Sequence, residues 1–230
     1  MKAFSVYCIA YFILLAIVSW LLYTYPKEEL HLMMNSYHMA IEDTFFKYYS
    51  TLAEWPLYIL ALLPVLWRKF QMTLLFAASE LTGGAILQIL KHLFSFSRPA
   101  SVFEHNGQVL LPLVQGVDMH HGNSFPSGHA STFFVFFTCC GLLLAYHYRR
   151  KNNQLTISKR WLIRLTMLAL AVMAALGAYS RVYLSQHFML DVYAGSIIGF
   201  VTPCLIFFFA WKKICQVSEN LELKLRDKYK

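Results

Sequence analysis

Residues 180–191, Ser-Arg-Val-Tyr-Leu-Ser-Gln-His-Phe-Met-Leu-Asp, connect two apolar blocks that cover residues 161–179 and 192–211. A helix needs about 20 mostly apolar residues to cross a bilayer. Both blocks reach about that length, and neither shows the polar face that a helix of a soluble protein carries. This part of the sequence therefore predicts two membrane-spanning helices joined by a short polar connection at one surface of the membrane.

The rest of the chain repeats this pattern. Among its 230 residues, 58% are hydrophobic and only 14% are charged, which is far less charge than a soluble domain carries. Four further apolar blocks cover residues 3–23, 52–67, 70–90 and 131–148. We therefore predict an all-α fold, a bundle of six transmembrane helices that forms a single domain over residues 1–230.

The first two blocks allow other interpretations. The first could be a signal peptide, but its apolar run is long and no small-residue cleavage site follows before Pro26. The second is short and contains Pro56 and Pro64. Proline is tolerated in membrane helices where neighbouring groups satisfy the freed carbonyls. We therefore count the first block as a membrane anchor and keep the second as a span.

The basic charge predicts an orientation in the membrane. With both termini in the cytoplasm, most of the 20 Lys and Arg residues fall on the cytoplasmic side, as the positive-inside rule requires. The exceptions are Lys27, Lys47, Lys91, Arg98 and Arg181. The formal net charge of +8 thus has a topological explanation, and no nucleic-acid partner is expected. We predict an integral protein of the bacterial inner membrane, with an active site that faces the periplasm or the cell exterior.

Three of the outer cations suit a phosphate site. Lys91 and Arg98 are seven residues apart, so a continuous helix would place them on one face about 10 Å apart. Pro99 disfavours helix at the residue before it, so we expect a loop to start there. Arg181 follows Ser180 at the outer end of the fifth block.

The tetrapeptide Pro126-Ser127-Gly128-His129 directly precedes the fourth block. Proline followed by serine is a good helix opening, and the start of a helix is a ready site for an anion. Gly128 has no side chain to keep an oxyanion away. His129 is then well placed to act as an acid or a base.

His187 and Asp191 are four residues apart, which makes them neighbours on one helix face. A carboxylate that accepts the Nδ1 proton leaves Nε2 free and makes the imidazole a better nucleophile. An aspartate at the edge of an apolar span also needs such a partner. We therefore predict that His187 is a nucleophile oriented by Asp191.

Together, the three blocks resemble the signature motifs of the type 2 phosphatidic acid phosphatase family, written K-x6-RP, PSGH and SR-x5-H-x3-D. Every specified position is matched, in order, between Lys91 and Asp191. The resemblance implies a phosphohistidine on His187, orientation of that residue by Asp191 and protonation of the leaving group by His129. It also implies a set of phosphate-binding residues, namely Lys91, Arg98, Ser127, Gly128 and Arg181, with Pro99, Pro126 and Ser180 as supporting motif positions.

Cationic side chains can neutralise a transferred phosphoryl group, so we expect no metal and no other cofactor. Asp118, His120 and His121 form the competing candidate for a metal site. Adjacent histidines do not readily share one ion, and no metal-ligand spacing follows them. We expect these residues to shape the entrance of the site or to bind a head group.

The resemblance implies that a phosphorylated membrane lipid is the substrate and partner. Phosphatidylglycerol phosphate, phosphatidate, undecaprenyl diphosphate and lipid A phosphates all fit. Three other functions stay open: a lipid phosphotransferase, a vanadate-dependent oxidase similar to the vanadium haloperoxidases, and a non-catalytic transporter of anionic lipids. The sequence does not indicate an oligomeric state.

Between the first two blocks, apolar residues recur at helical spacing over residues 30–45, with polar residues such as His31, Asn35 and His38 opposite them. This pattern predicts an amphipathic helix on the outer membrane surface. Such a helix could admit a lipid head group or merely cover the bundle.

Overall fold

A computed structural model of the chain describes residues 3–54, 59, 70–106, 111, 113–149 and 156–228, and all regular structure in these ranges is helical. The helices are α1 (Phe4–Thr24), α2 (Lys27–Met34), α3 (Ala40–Thr51), α4 (Phe70–Leu93), α5 (Pro99–Asn106), α6 (Gly128–Arg149), α7 (Ile157–Tyr183) and α8 (Met189–Lys228). The predicted all-α fold is therefore confirmed.

Five of these helices, α1, α4, α6, α7 and α8, are long and apolar enough to cross a membrane. They correspond to five of the six predicted spans, so the chain is an integral membrane protein. Most of the remaining span, residues 52–67, lies outside the described residues. Six transmembrane helices in total stay a prediction.

The helices extend beyond the apolar blocks at the ends where the motifs lie. α6 begins at Gly128 and not at residue 131, and α7 ends at Tyr183 and not at residue 179. α8 begins at Met189, three residues before its apolar block. Hydropathy underestimates the length of these helices because polar motif residues form the first turns of α6 and α8 and the last turn of α7. His129, Arg181 and Asp191 are consequently carried on helix ends.

The centre of the bundle is α6, in which 67% of the membrane-length window is buried, against 11% for α1. Its main partner is α8, which runs parallel to it. A Cβ atom at Gly195 would collide with the main-chain oxygen of Ser127, and one at Gly199 would collide with that of Ser131. The two helices therefore meet backbone to backbone, as small-xxx-small sequences allow in membranes.

The connection between α4 and α6 differs from the prediction. α4 ends at Leu93, so Lys91 and Arg98 do not share one continuous helix. The loop expected from Pro99 onward instead begins with the eight-residue helix α5. Proline is well suited to the first helical position, because its missing N–H has no partner there in any case. That preference explains why Pro99 starts a helix.

The predicted helix over residues 30–45 is divided into α2 and α3 by a non-helical segment that begins at Asn35. Most of the apolar face is exposed, with Tyr37 at 64% and Ile41 at 80%, whereas Leu30 is buried. The polar face points inward, where His31 and Asn35 are 0% and 1% exposed. Asn35 ends α2 by donating its main-chain N–H and its side-chain Nδ2 to the His31 carbonyl.

Replacement of Gly195 by alanine should destabilise the protein, because the new methyl group would meet the Ser127 carbonyl and Ala130 Cβ. Overpacking of this kind typically costs about 1–3 kcal/mol. Gly84→Ala is the matched control, since a Cβ there meets no atom within 4 Å. Thermal unfolding in detergent should show a lower Tm for Gly195→Ala and an equal or higher Tm for Gly84→Ala. Equal midpoints for the two variants would refute the close contact.

Candidate active site

The connection between α7 and α8 is a tight turn held by main-chain hydrogen bonds. The Arg181 carbonyl accepts from the N–H groups of Gln186 and His187, at 2.9 and 3.1 Å. Ser185 makes the reversal possible by adopting a φ of 52°, a region that non-glycine residues rarely occupy. The turn places the His187 ring at the start of α8, where it is only 3% exposed.

His187 and Asp191 lie together, but a third residue mediates their contact. Nδ1 of His187 is 3.5 Å from Oδ2 of Asp191 and 3.3 Å from Oγ of Ser124. The Ser124 hydroxyl donates to the same Oδ2 at 2.5 Å, and the Phe188 N–H donates to it at 2.9 Å. With a proton on Nδ1, the imidazole can donate to Ser124 while Ser124 donates to Asp191. Nε2, on the other edge of the ring, then carries the lone pair.

His187 is neutral at neutral pH. Burial lowers the pKa of its imidazole to about 4, because low-dielectric surroundings disfavour the charged form. The hydrogen bond with Asp191 opposes this shift, and the charges of Arg98 and Arg181 add to it. Both guanidinium groups therefore lie close enough to act on the ring. A neutral imidazole is the form that can attack an electrophile.

Arg98 is fixed by main-chain oxygens on two segments. Its Nη1 donates to the Gln186 carbonyl at 2.9 Å, and its Nε donates to the Gly122 carbonyl at 3.2 Å. A longer contact of 3.5 Å joins Nη2 to the Asn123 carbonyl. Burial lowers the pKa of Arg98 and Asp191 opposes that shift, so the two charges attract each other. Arg98 thus ties the loop before α6 to the turn that carries His187.

Arg181 is a buried cation with a hydrogen-bond donor that has no partner among the described residues. Its side chain is 7% exposed, and Nη1 donates to the Ser50 hydroxyl of α3 at 2.5 Å. Nε is buried and has no hydrogen-bond partner among the described residues. Buried donors are nearly always paired, so an unpaired guanidinium nitrogen fits a site for an anion.

The start of α6 completes the site. The Ser127 N–H donates to the Asp191 carbonyl at 3.0 Å, and Ser127 Oγ accepts from the Ala130 N–H as a helix cap at 3.4 Å. A Cβ at Gly128 would meet no atom within 4 Å, so the main chain there is open to an approaching oxyanion. This arrangement agrees with the helix opening expected from the sequence.

His129 and Lys91 lie near the same charged residues. His129 lies within electrostatic range of His187, Arg181 and Arg98. Lys91, on the last turn of α4, lies within range of Arg98 and Asp191. The structure therefore brings all the predicted catalytic and phosphate-binding residues to one end of the bundle.

The three supporting positions have structural roles near the site. Pro99 is the first residue of α5, and Pro126 follows a cis peptide bond with Phe125. The Ser180 hydroxyl donates to the Gly177 carbonyl within α7 at 2.6 Å. None of the three contacts His187 through a hydrogen bond among the described residues.

Two residues of the site were not predicted. Ser124 links His187 to Asp191, and Asn123 bridges three segments with its side chain. Nδ2 of Asn123 donates to the Lys91 and Phe94 carbonyls, while its Oδ1 accepts from the N–H groups of Phe96 and Phe125. The only sequence signal was their position, directly before the tetrapeptide that starts at Pro126.

The two adjacent histidines of the loop before α6 have different surroundings. Burial, together with the charges of Arg98 and Arg181, lowers the pKa of His120, which therefore lies near both cations. His121 contacts Glu104 of α5, with 3.7 Å between Nδ1 and Oε2. Among the described residues, no group of three His, Cys, Asp or Glu side chains is arranged to hold a metal ion.

Taken together, the apolar helices and the buried histidine define an integral membrane protein with a neutral imidazole among cationic side chains at one end of the bundle. Residues 72–215 match the PAP2 superfamily. Because this match covers more than half of the 230 residues, the chain belongs to the PAP2 superfamily. The match includes all three motifs and confirms the resemblance drawn from them. It supports a phosphatase that acts in a membrane.

The fold is also similar to that of a protein whose structure has been solved. The crystal structure of Aquifex aeolicus LpxE is similar to this chain with a TM-score of 0.58 and 21% sequence identity. The similarity covers 79% of this chain and 94% of LpxE, so the bundles correspond over most of their length. No curated protein matches this chain.

Proposed function

We propose that this protein is a lipid phosphatase that works through a phosphohistidine on His187. The observation that carries the proposal is the contact of His187 Nδ1 with Ser124 and Asp191, beside the buried Arg181 and the half-buried Arg98. That contact orients a neutral imidazole with Nε2 free. The arginines provide the charge that a phosphate requires. Phosphoryl transfer needs such positioning and charge neutralisation above all.

In the first step, Nε2 of His187 attacks phosphorus and the bond from phosphorus to the leaving oxygen breaks. His129 donates a proton to that oxygen, so the lipid leaves as a neutral alcohol or as a lipid monophosphate. Lys91, Arg98 and Arg181 neutralise the charge on the other phosphate oxygens. As the P–N bond forms, positive charge develops on the His187 ring, and Asp191 stabilises it through Ser124 and directly.

In the second step, His129 is the base. It accepts a proton from water, the water oxygen attacks phosphorus and the P–N bond breaks. Inorganic phosphate leaves, His187 returns to its neutral form and His129 is protonated for the next cycle. The three cationic side chains neutralise charge in both steps, so the reaction needs no metal ion.

An apolar groove beside the site supports a lipid substrate. It has a volume of about 240 Å³ and lies between α1, α7 and α8, where Leu14, Val18 and Ala175 line it. Its lining also includes Met189 and Val192, which flank Asp191 in α8. The groove therefore extends from the first turn of α8 into the part of the bundle that crosses the bilayer. We propose that it holds the tail of the lipid whose phosphate His187 attacks.

The distribution of basic residues supports an active site on the outer face. Arg149 ends α6, while Lys159 and Arg160 lie in the first turn of α7. Lys212 and Lys213 lie about 35 Å along α8 from its first residue, at 1.5 Å per residue. All five residues are at the end of the bundle opposite His187. By the positive-inside rule, we propose that this end lies in the cytoplasm and that the site lies in the periplasm or outside the cell.

Replacement of His187 by asparagine should abolish phosphate release, since an amide is not a nucleophile and His129 is assigned to proton transfer. The wild-type protein, quenched in alkali after brief exposure to a ³²P-labelled lipid phosphate, should carry acid-labile label. The new side chain leaves an amide near Ser124, so the variant should fold with a similar Tm. Activity should persist in excess chelator.

Normal turnover by the asparagine variant would refute the mechanism, as would activity that only a divalent ion restores after chelation. Transfer of the labelled phosphate to a second lipid, and not to water, would identify a phosphotransferase with the same intermediate. Halide oxidation that depends on vanadate, without phosphate release, would identify an oxidase.

Filling the groove should impair lipid substrates selectively. Ala175→Phe places a ring where the lipid tail would lie. The tail should then lose the burial of about two methylene groups, at about 0.8 kcal/mol each. This loss should lower kcat/KM for lipids about tenfold. Ala169→Phe is the matched control, because this alanine is on the exposed side of the same helix. Both variants should hydrolyse a short, water-soluble phosphate ester at the wild-type rate.

The lipid panel for this comparison is phosphatidylglycerol phosphate, phosphatidate, undecaprenyl diphosphate and lipid A phosphates, and the largest wild-type kcat/KM identifies the substrate. Equal loss on lipids and on the soluble ester would show that the groove variant damages the site itself. An unchanged lipid rate would refute the groove as the place of the tail.

Cysteine labelling tests the orientation. A cysteine at position 122 lies in the loop beside the site, where an added Cβ meets no atom within 4 Å. A cysteine at position 158 lies in the first turn of α7, at the opposite end. In intact cells, a membrane-impermeant maleimide should label Gly122→Cys above the level of the parent chain, and Ser158→Cys only after permeabilisation. The reverse pattern would place the site in the cytoplasm.

A further inference from the structure

The surface helix α2 contacts the turn that carries His187 through two buried polar side chains. His31 and Asn35 are 0% and 1% exposed. Nε2 of His31 lies 3.2 Å from the Ser185 hydroxyl, and Nδ2 of Asn35 donates to the Val182 carbonyl at 3.0 Å. Asn35 Nδ2 also lies 3.3 Å from His31 Nε2, so the two residues form one polar contact with the turn.

This contact reaches the turn at Ser185, whose main-chain conformation is unfavourable for a residue other than glycine. Ser185 has a φ of 52°, and serine in this region is stable only where surrounding contacts hold it. Its N–H donates to the Val182 carbonyl at 2.9 Å, the same oxygen that accepts from Asn35. Two residues later the chain presents His187. A change of φ at Ser185 would therefore rotate the main chain that supports the nucleophile.

The ring of His31 is also held on its apolar faces. Phe188 packs edge-on against it with 5.2 Å between ring centroids, and Phe103 of α5 lies at 5.9 Å. Burial lowers the pKa of His31 to about 4, so the ring is neutral at neutral pH and adds no charge behind the site. Substitution of His31 by phenylalanine can therefore separate its two contributions. A phenyl ring keeps the packing against Phe188 and Phe103 but cannot make the polar contact with Ser185.

We propose that His31 is a positioning residue for His187, acting through the hydroxyl of Ser185. The inference rests on the proposed phosphatase function. His31 does not touch the phosphate. It holds Ser185 in its left-handed conformation and thereby keeps Nδ1 of His187 beside Ser124 and Asp191. Misplacement of a reacting group by about 1 Å can lower a rate about a hundredfold, so a small rotation of the turn is sufficient to matter.

Kinetics of His31→Phe, His31→Gln, Ser185→Gly and the double variant His31→Phe with Ser185→Gly test this role. His31→Phe should lower kcat about tenfold with KM unchanged, since alignment and not binding is lost. His31→Gln should recover most of kcat, because its amide can still reach the Ser185 hydroxyl. Glycine tolerates the positive φ but lacks the hydroxyl, so Ser185→Gly should also lose kcat. The double variant should lose no more than the larger single loss.

His105→Phe, on the exposed part of α5, is the matched control for a new phenylalanine and should keep the wild-type kcat. A wild-type kcat in His31→Phe, or losses that add in the double variant, would overturn the proposal. The proposal would also be wrong if kcat and Tm fell in parallel across all variants and if His31→Gln did not recover kcat. His31 would then only stabilise the fold.

A second measurement does not depend on turnover. NMR spectra of detergent-solubilised protein with ¹⁵N-labelled histidine report on the ring nitrogens of His187. Their signals are assigned by their absence in His187→Asn. These signals should change chemical shift in His31→Phe and not in His105→Phe. Unchanged His187 signals would refute the positioning role even if the wild-type protein released no phosphate. Shifted signals in a protein without phosphatase activity would retain the positioning role and refute the proposed function alone.

Discussion

The close approach of α8 to the first turns of α6 is the contact on which the site depends. Gly195 and Gly199 leave no side chain between the two helices, so the backbones meet directly. The hydrogen bond from the Ser127 N–H to the Asp191 carbonyl joins the two helix starts at the same level. The start of α6, where we propose that phosphate binds, is thereby set beside Asp191 of α8 and beside His187, which precedes α8. A larger residue at either glycine would separate the two halves of the site.

Around this pair of helices, segments distant in sequence supply the remaining contacts. Arg98 joins the loop before α6 to the turn after α7, and Asn123 joins the same loop to the end of α4. From the opposite side, α3 contacts Arg181 through Ser50, and α2 contacts the turn through His31. The hydrogen-bond partners of Arg98 and Arg181 are therefore main-chain carbonyls and a hydroxyl, which are neutral. Asp191 is a carboxylate within electrostatic range of Arg98 and Lys91.

Much of this arrangement could be predicted from the sequence, because membrane helices and the three motifs leave local signals. Apolar blocks located the spans, and fixed spacing brought His187 and Asp191 together. The signals failed where structure depends on contacts between segments. Ser124 has no spacing relation to His187, and its role appears only when the loop before α6 folds against α8. The division of residues 30–45 into α2 and α3 failed for a similar reason. The amphipathic pattern predicts one continuous helix, but the buried hydrogen bonds of His31 and Asn35 end α2 at Met34.

The direct backbone contact between α6 and α8 also bears on how the protein meets bilayers of different thickness. Transmembrane helices respond to hydrophobic mismatch by tilting, and helices that are separated by long side chains can tilt by different amounts. Two helices locked through glycines tilt as one rigid body. His129 on α6 and the turn that carries His187, directly before α8, then keep their separation while the pair leans. The geometry of the proposed active site is thereby insulated from lipid composition, and the membrane changes only the depth at which this end of the bundle lies.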